Sequence, residues 1–391
     1  MSKARILFIS PQPFFQWRGS PIRVKYNLQA LCQLGYEVDL VTLPFGEDVE
    51  IEGLKIHRVS PIPGVRQLPI GPSFPKLLFN VKVMAKVRAL VQERDYALIH
   101  AVEESAFFNS GLAGKKGIPF VYEKHSDPAS YRKGGLRNLI MDGYSRMERV
   151  SMKRASAVIA TGAGLADAVK AQVPETPCRH IFDIPSSMED PSEEQVAQQA
   201  KALRQQEQEV LATYVGSFAV YQGIDLLFSA IPSACKQAAA LRVIIVGGSD
   251  SEIAERKAQL AQAGVEDRVT FLGKMPPEKL SAVLTASDIL LSPRVSGHNT
   301  PLKVLDYFKA GRSIAATDTE ANRLILDEAT AKFAAPEAAA FADMLATLAQ
   351  DAGEREHLAR AGRQLIEDTY NFKVYRDSIG ELYSQVLAPS E

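Results

Sequence analysis

The stretch SGHNTPLKVLDYFKAG, Ser296 to Gly311, sets bare backbone, a cation and one acid side by side. A polar loop containing Gly297 runs into a helix with Lys303 in its first turn after Pro301 and Asp306 in its second. A helix start exposes unpaired N–H groups and the positive end of the helix dipole, so it favours anions. The stretch VGSFAVYQG offers a second such start, with Gly216, Ser217 and Gly223 before the helix GIDLLFSA. Two helix starts converging on one cleft suit a diphosphate, and Lys303 and Arg294 add positive charge. A lone carboxylate such as Asp306 accepts two hydroxyl hydrogen bonds from a diol, and a ribose offers one. Together these residues point to a nucleotide diphosphate.

Such loops need elements to hold them. In open α/β sheets ligands sit at the carboxyl ends of the strands. RILFISP reads as a first strand. It is followed by a loop through WRGSPIR, by a helix (PIRVKYNLQALCQLG) that stops at Gly35, and by the strand EVDLVTL. The β–α rhythm continues with strands over 97–102, 119–125 and 156–161. A second series starts near Leu211: VLATYVGSF, LRVIIVGG, RVTFLG, DILLSP and SIAATD read as strands with helices between them. The spacing predicts an α/β chain of two facing, doubly wound Rossmann-like domains: 1–185 with 371–391, and 186–370. A Pro-, Ser-, Glu- and Gln-rich segment, 183–210, joins them. The final helix has Tyr375, Ile379, Leu382 and Val386 on one face and is expected to dock.

Composition narrows the function class. The chain has 391 residues and a net charge of −1, split +8 over residues 1–185 and −9 over the rest. A basic front half suits an anionic acceptor or membrane surface. No run of about 18 apolar residues is present, and the N-terminus does not read as a signal peptide. Cys32, Cys178 and Cys235 are too widely spaced for a metal site or a disulfide framework, which fits a reducing cytoplasm. The stretch ATGAGLADAVKA has Asp167 where the third glycine of a dinucleotide fingerprint belongs, and a glycine helix start explains it. No phosphate loop of the Walker kind and no metal-ligand spacing is found, and no nucleic-acid partner is expected.

The second half resembles the retaining GT-B glycosyltransferases of glycosyltransferase family 4. The resemblance rests on YVGSFAVYQGIDLLFSAI, RVIIVGG, DRVTFLGKMPPEKLSAVLTASDILLSP and NTPLKVLDYFKAGRSIAATD, in the family's order and spacing. ILFISP, LCQLGYEVDLVT, IHAVEESAF and GIPFVYEKHSD extend it, more loosely, through the first half. It implies a last helix that crosses back to the first domain. It also implies that Asp306 is the ribose-binding second acid of the family's Glu-x7-Glu motif, with His298 in the place of the first. Asn299, Thr300, Pro301 and Leu302, with Gly297 before them, fall on the backbone that holds donor sugar and diphosphate. The family's basic pair falls on Ser217 and Gln222, so both charges are missing there. Gly273, Lys274 and Met275 match the strand end that brackets the base, and His125 matches the histidine that faces the donor sugar.

The reaction so implied is retaining transfer of a hexose from a nucleotide-diphosphate sugar to a glycan, lipid-linked or small-molecule acceptor, without metal or further cofactor. His125, His298, Lys303 and Arg294 are the catalytic candidates. Gly19 and Ser20 after the first strand, and Glu103 and Glu104 after a later one, are the acceptor-side candidates. The segment 132–154 carries seven Lys or Arg and two acids, with a stripe of Leu139, Ile140, Tyr144, Met147 and Val150. It is expected to give peripheral membrane contact if the acceptor is lipid-linked, and the expected location is cytoplasmic, at the inner face of the membrane. Two other classes fit the same features: an isomerase or hydrolase acting on a nucleotide sugar, and a non-catalytic nucleotide-sugar-binding subunit.

Overall fold

The computed structural model describes residues 4–17, 19–65, 68, 73–127, 135–297 and 300–388, without the side chains of 136, 137, 277 and 278. The chain divides into two compact units, Met1–Asp183 with Phe372–Glu391, and Ile184–Asn371.

The first unit is built on seven parallel strands: β1 (Arg5–Ile9), β2 (Glu37–Thr42), β3 (Leu54–Arg58), β4 (Leu98–Val102), β5 (Phe120–Lys124), β6 (Ala157–Ala160) and β7 (Cys178–His180). Their order is β3-β2-β1-β4-β5-β6-β7, so the winding direction reverses between β1 and β4. The helices are α1 (Gly19–Gln33), α2 (Phe74–Glu93), α3 (Ser105–Lys116), α4 (Gly135–Arg154) and α5 (Ala163–Gln172). Right-handed crossovers place α1 on one face of the sheet and α2, α3 and α4 on the other. The contacts agree, since α3 packs on both α2 and α4. β4 and β5 are buried at every residue, as parallel strands covered on both faces must be.

The second unit holds α6 (Glu193–Leu203) and six parallel strands: β8 (Val210–Val215), β9 (Leu241–Val246), β10 (Val269–Gly273), β11 (Ile289–Ser292), β12 (Ser313–Thr317) and β13 (Lys332–Ala334). The order β10-β9-β8-β11-β12-β13 puts the switch point between β8 and β11. Helices α7 (Ile224–Gln237), α8 (Asp250–Gln262), α9 (Pro277–Ala286), α10 (Lys303–Ala310), α11 (Glu320–Arg323), α12 (Ala338–Gln350) and α13 (Ala352–Asp368) cover the sheet. α7 and α12 pack together through a core that includes Leu227, Ile231, Phe341 and Leu345. The final helix, α14 (Phe372–Leu387), lies against α1 in the first unit, with Tyr375, Ile379 and Leu382 buried.

Three strands escape the sequence reading: β3, β7 and β13. Each is an edge strand with polar or charged residues and partial burial, so none makes an apolar run. Gly19 is also not in a loop. It begins α1 together with Ser20. Asp306 belongs to the first turn of α10, since that helix begins at Lys303 rather than earlier.

Candidate functional site

The two loops singled out by sequence flank the switch point of the second sheet. One follows β8 and the other β11. They are tied together backbone to backbone: the Val295 N–H donates to the Tyr221 carbonyl at 3.1 Å. Gly223 enters α7 with φ of 73°, and a Cβ there would stand 1.7 Å from the Pro293 carbonyl oxygen. Only glycine satisfies both the left-handed backbone and that approach. The carboxyl ends of β8, β9 and β10 meet in the same way. The Gly247 N–H donates to the Gly273 carbonyl at 2.7 Å, and a Cβ on Gly247 would lie 1.9 Å from the Gly216 oxygen. The result is a side-chain-free shelf of Gly216, Gly247 and Gly273 beside the start of α7.

Lys303 is the cation of this shelf. Its Nζ donates to the Val215 carbonyl and to Gln222 Oε1, both at 3.2 Å, and lies 4.6 Å from the centre of the Tyr214 ring. It thus reaches Gln222, the position where the resemblance expects a lysine. Burial, reinforced by Arg294, pushes its pKa down to about 7. Arg294 is buried at the end of β11, stacks on Tyr221 at 5.4 Å and donates to the Ser296 carbonyl at 2.9 Å. Burial lowers its pKa as well. Among the described residues neither cation meets a carboxylate. Such charge is stabilised when an anion arrives.

The other donor-side candidates are spread along these loop ends. Ser217 is exposed, and its carbonyl accepts from the Tyr214 hydroxyl at 2.8 Å. Gly297 folds over the Arg294 guanidinium. Thr300 is half-buried, Pro301 buried and Leu302 partly exposed just before α10. Lys274 is exposed beyond β10, while Met275 packs against Leu203, Leu211 and Val283. His298 and Asn299 lie outside the described residues.

Asp306 sits differently from its expected place in an open cleft. Its Oδ1 accepts from the Ser186 N–H at 2.6 Å and the Ser186 hydroxyl at 2.9 Å. It lines a recess with Ser187, Thr285 and Lys309. Burial raises its pKa to about 6 against the opposing Ser186 hydrogen bonds. Ser186 thus donates to one of the two carboxylate oxygens of Asp306. It was not legible in the sequence.

In the first unit His125 follows β5, beside a buried polar cluster. Glu103, just past β4, adopts φ of 51°, a left-handed conformation uncommon outside glycine. Its carboxylate accepts from the His125 backbone N–H and, at 3.0 Å, from the Ser126 hydroxyl. Glu104 is buried, with Lys76 of α2 at 2.6 Å and the Tyr144 hydroxyl of α4 at 3.4 Å. Both acids expected on the acceptor side are therefore engaged within their own unit. The cluster centre is Glu123, which sequence reasoning missed. It receives Arg23, Asn27 at 2.7 Å and His100 at 2.8 Å. These contacts hold its carboxyl well below the usual range despite complete burial.

Residues 135–154 form α4, while 132–134 lie outside the described residues. Leu139, Ile140, Met147 and Val150 are exposed on it. Tyr144 leaves that stripe: its ring packs edge-on against Phe107 at 4.6 Å. Among the described residues no helix is long and apolar enough to cross a membrane.

The comparisons with known proteins agree across both units. Residues 17–182 match the sequence model described as Glycosyltransferase Family 4, and residues 209–351 match that of Glycosyl transferases group 1. The phosphatidyl-myo-inositol mannosyltransferase of Mycobacterium leprae is 25% identical over 167 residues, which is 42% of this chain and 43% of that protein. The chain thus spans less than half the length of that curated relative. Among solved structures, sucrose-phosphate synthase from Thermosynechococcus elongatus superposes with a TM-score of 0.78 at 22% identity, covering 99% of this chain and 100% of the other. Anabaena HepE in complex with UDP superposes with a TM-score of 0.73 at 15% identity, covering 98% and 100%. It has also been solved with UDP-glucose.

Proposed function

The chain belongs to the group 1, family 4 glycosyltransferases and has the GT-B fold, and on that premise we propose that it moves a sugar from a nucleotide-diphosphate donor to an acceptor hydroxyl with retention at the anomeric carbon. The observation that carries this reading is the pairing of a bare glycine shelf with two cations, half-buried Lys303 and buried Arg294, that meet no carboxylate among the described residues. Lys303 supplies, from α10, the charge that Ser217 and Gln222 do not. The Anabaena relative solved with UDP and with UDP-glucose supports a nucleotide sugar as donor.

In the proposed reaction the bond between the anomeric carbon and the phosphate oxygen breaks as the acceptor oxygen bonds to the same face of the sugar. The acceptor proton passes to the departing diphosphate. Charge growing on that leaving group is stabilised by Lys303, Arg294 and the N-termini of α7 and α10. The test is a panel of nucleotide sugars scored for nucleoside diphosphate release with and without acceptor. Release from one donor, lost in Asp306→Ala, is expected. Wild-type donor binding in that variant would remove the ribose assignment. Binding without release would favour a sugar-nucleotide-binding subunit, the reading that Ser217 and Gln222 motivate. A rearranged or hydrolysed sugar without acceptor would favour the isomerase or hydrolase.

The acceptor in this reading is met at an anionic lipid surface. Leu139 is 68% exposed and Ile140 55%, with Arg146, Arg149, Lys153 and Arg154 exposed on the same helix. On α2, Phe74 is 72% exposed, and Leu77 and Val81 are exposed beside it. Exposed apolar side chains and cations on one helix suit the boundary of an acidic bilayer. Sedimentation with neutral and anionic liposomes tests this. Binding to the anionic set alone, weakened by Ile140→Glu and by Leu77→Glu, is expected, and equal sedimentation in all cases would defeat it.

A further inference from the structure

β5 carries two adjacent charged residues, Glu123 and Lys124, both fully buried, in a strand that parallel-sheet burial would fill with apolar side chains. They point to opposite faces. Lys124 closes a local set with Glu148, which Tyr122 also reaches at 2.9 Å. Glu123 does more, because groups from two separate elements and the residue just past its own strand converge on it. Arg23 and Asn27 come from α1, His100 from β4, and His125 from the end of β5. The set is braced by α14: the Tyr375 hydroxyl donates to Asn27 Oδ1 at 2.8 Å, and the Tyr383 hydroxyl lies 2.7 Å from His100 Nδ1.

A carboxylate only accepts, so His100 donates from Nε2 and its Nδ1 accepts from Tyr383. The same logic bears on His125. Its Nε2 is 3.1 Å from Glu123 Oε1, is sealed from solvent, and completes no hydrogen bond of good geometry with a described group. Its backbone N–H is meanwhile pinned by Glu103. We infer that Glu123 is a positioning residue that keeps the proton of His125 on Nε2, leaving Nδ1 as a hydrogen-bond acceptor for a substrate hydroxyl. This inference rests on the glycosyl-transfer reading for the substrate, though not for the ring itself.

The experiment is nitrogen-15 NMR of ring-labelled histidines at about pH 8, with the His125 signals assigned through His125→Gln. Wild type is expected to show the Nε2–H tautomer at His125. Glu123→Gln is expected to shift it toward Nδ1–H and to lower kcat by about 10²-fold, the scale of losing one proton-handling side chain, with KM for the nucleotide sugar changed less than threefold. Tyr383→Phe removes a brace without touching the pair. It should lower the melting temperature and leave tautomer and kcat alone. Should Glu123→Gln not fold, Arg23→Met with Glu123→Gln removes both buried charges and gives the same reading. An unchanged His125 tautomer in these variants overturns the proposal, as does a parallel fall of kcat and melting temperature in Glu123→Gln and Tyr383→Phe. If wild type turns over no nucleotide sugar, glycosyl transfer fails and the tautomer result stands by itself.

Discussion

The two polar centres of this chain handle charge in opposite ways. In the first unit every ion at the centre is met by a counter-ion or a hydrogen bond: Glu123 by Arg23, Asn27 and His100, and Arg23 in turn by Asp183 at 2.8 Å. In the second unit Lys303 and Arg294 rest on carbonyls, an amide and aromatic faces. A cluster of paired ions contributes order, because removing one partner strands another in a low dielectric. A shelf with unbalanced cations leaves its electrostatic energy for a ligand. The difference teaches where to look for binding: at the charges that folding has not neutralised.

Breaking the paired side should have the largest effect. Arg23→Met leaves Glu123 buried without its cation, and is expected to cost about 3–5 kcal/mol of stability, read by urea unfolding with hydrogen exchange on α1 and α14. Lys303→Met is the counterpart. It is expected to weaken nucleoside diphosphate binding by about 1.5–3 kcal/mol without lowering the melting temperature. A stability loss equal to that of Arg23→Met would erase the contrast.

The pH dependence sharpens it further. A bound diphosphate stabilises the Lys303 ammonium, whose pKa is about 7 in the free protein, so binding takes up a proton and affinity falls as pH rises above about 7. Asp306 titrates at about 6 and accepts hydroxyls as the carboxylate, so affinity falls as pH drops below that value. A binding maximum between the two is expected, and Lys303→Met should remove its alkaline limb. The smallest effect belongs to a residue outside both centres. Ser192 caps α6 by accepting from the Gln195 N–H at 3.2 Å, and Ser192→Ala should cost about 1 kcal/mol while leaving binding unchanged by titration.

The strands that frame both centres were legible because buried parallel strands are continuous apolar runs, as in DILLSP and LRVIIVGG. Edge strands such as β7 are short and half-covered and carry no such signal. Of the site, the glycines and Lys303 were legible, since bare backbone before a helix leaves a mark on the sequence. That Lys303 reaches Gln222 was not, because it depends on how two loops meet across the switch point. Ser186 was hidden for the same reason: it lies 120 residues before Asp306. Glu123 had a signal that went unused, a charged pair inside the apolar run PFVYEKH. The engagement of Glu103 and Glu104 was not legible, because their partners come from elements distant in the chain.

The central claim is that the glycine shelf and its unbalanced cations hold a diphosphate. Calorimetric titration of the full chain with nucleoside diphosphates of each common base, for wild type and Lys303→Met, tests it most directly. The account predicts micromolar binding of at least one of them to wild type and at least about tenfold weaker binding to the variant. Absence of binding to wild type at millimolar ligand, or equal affinity in both proteins, would contradict it.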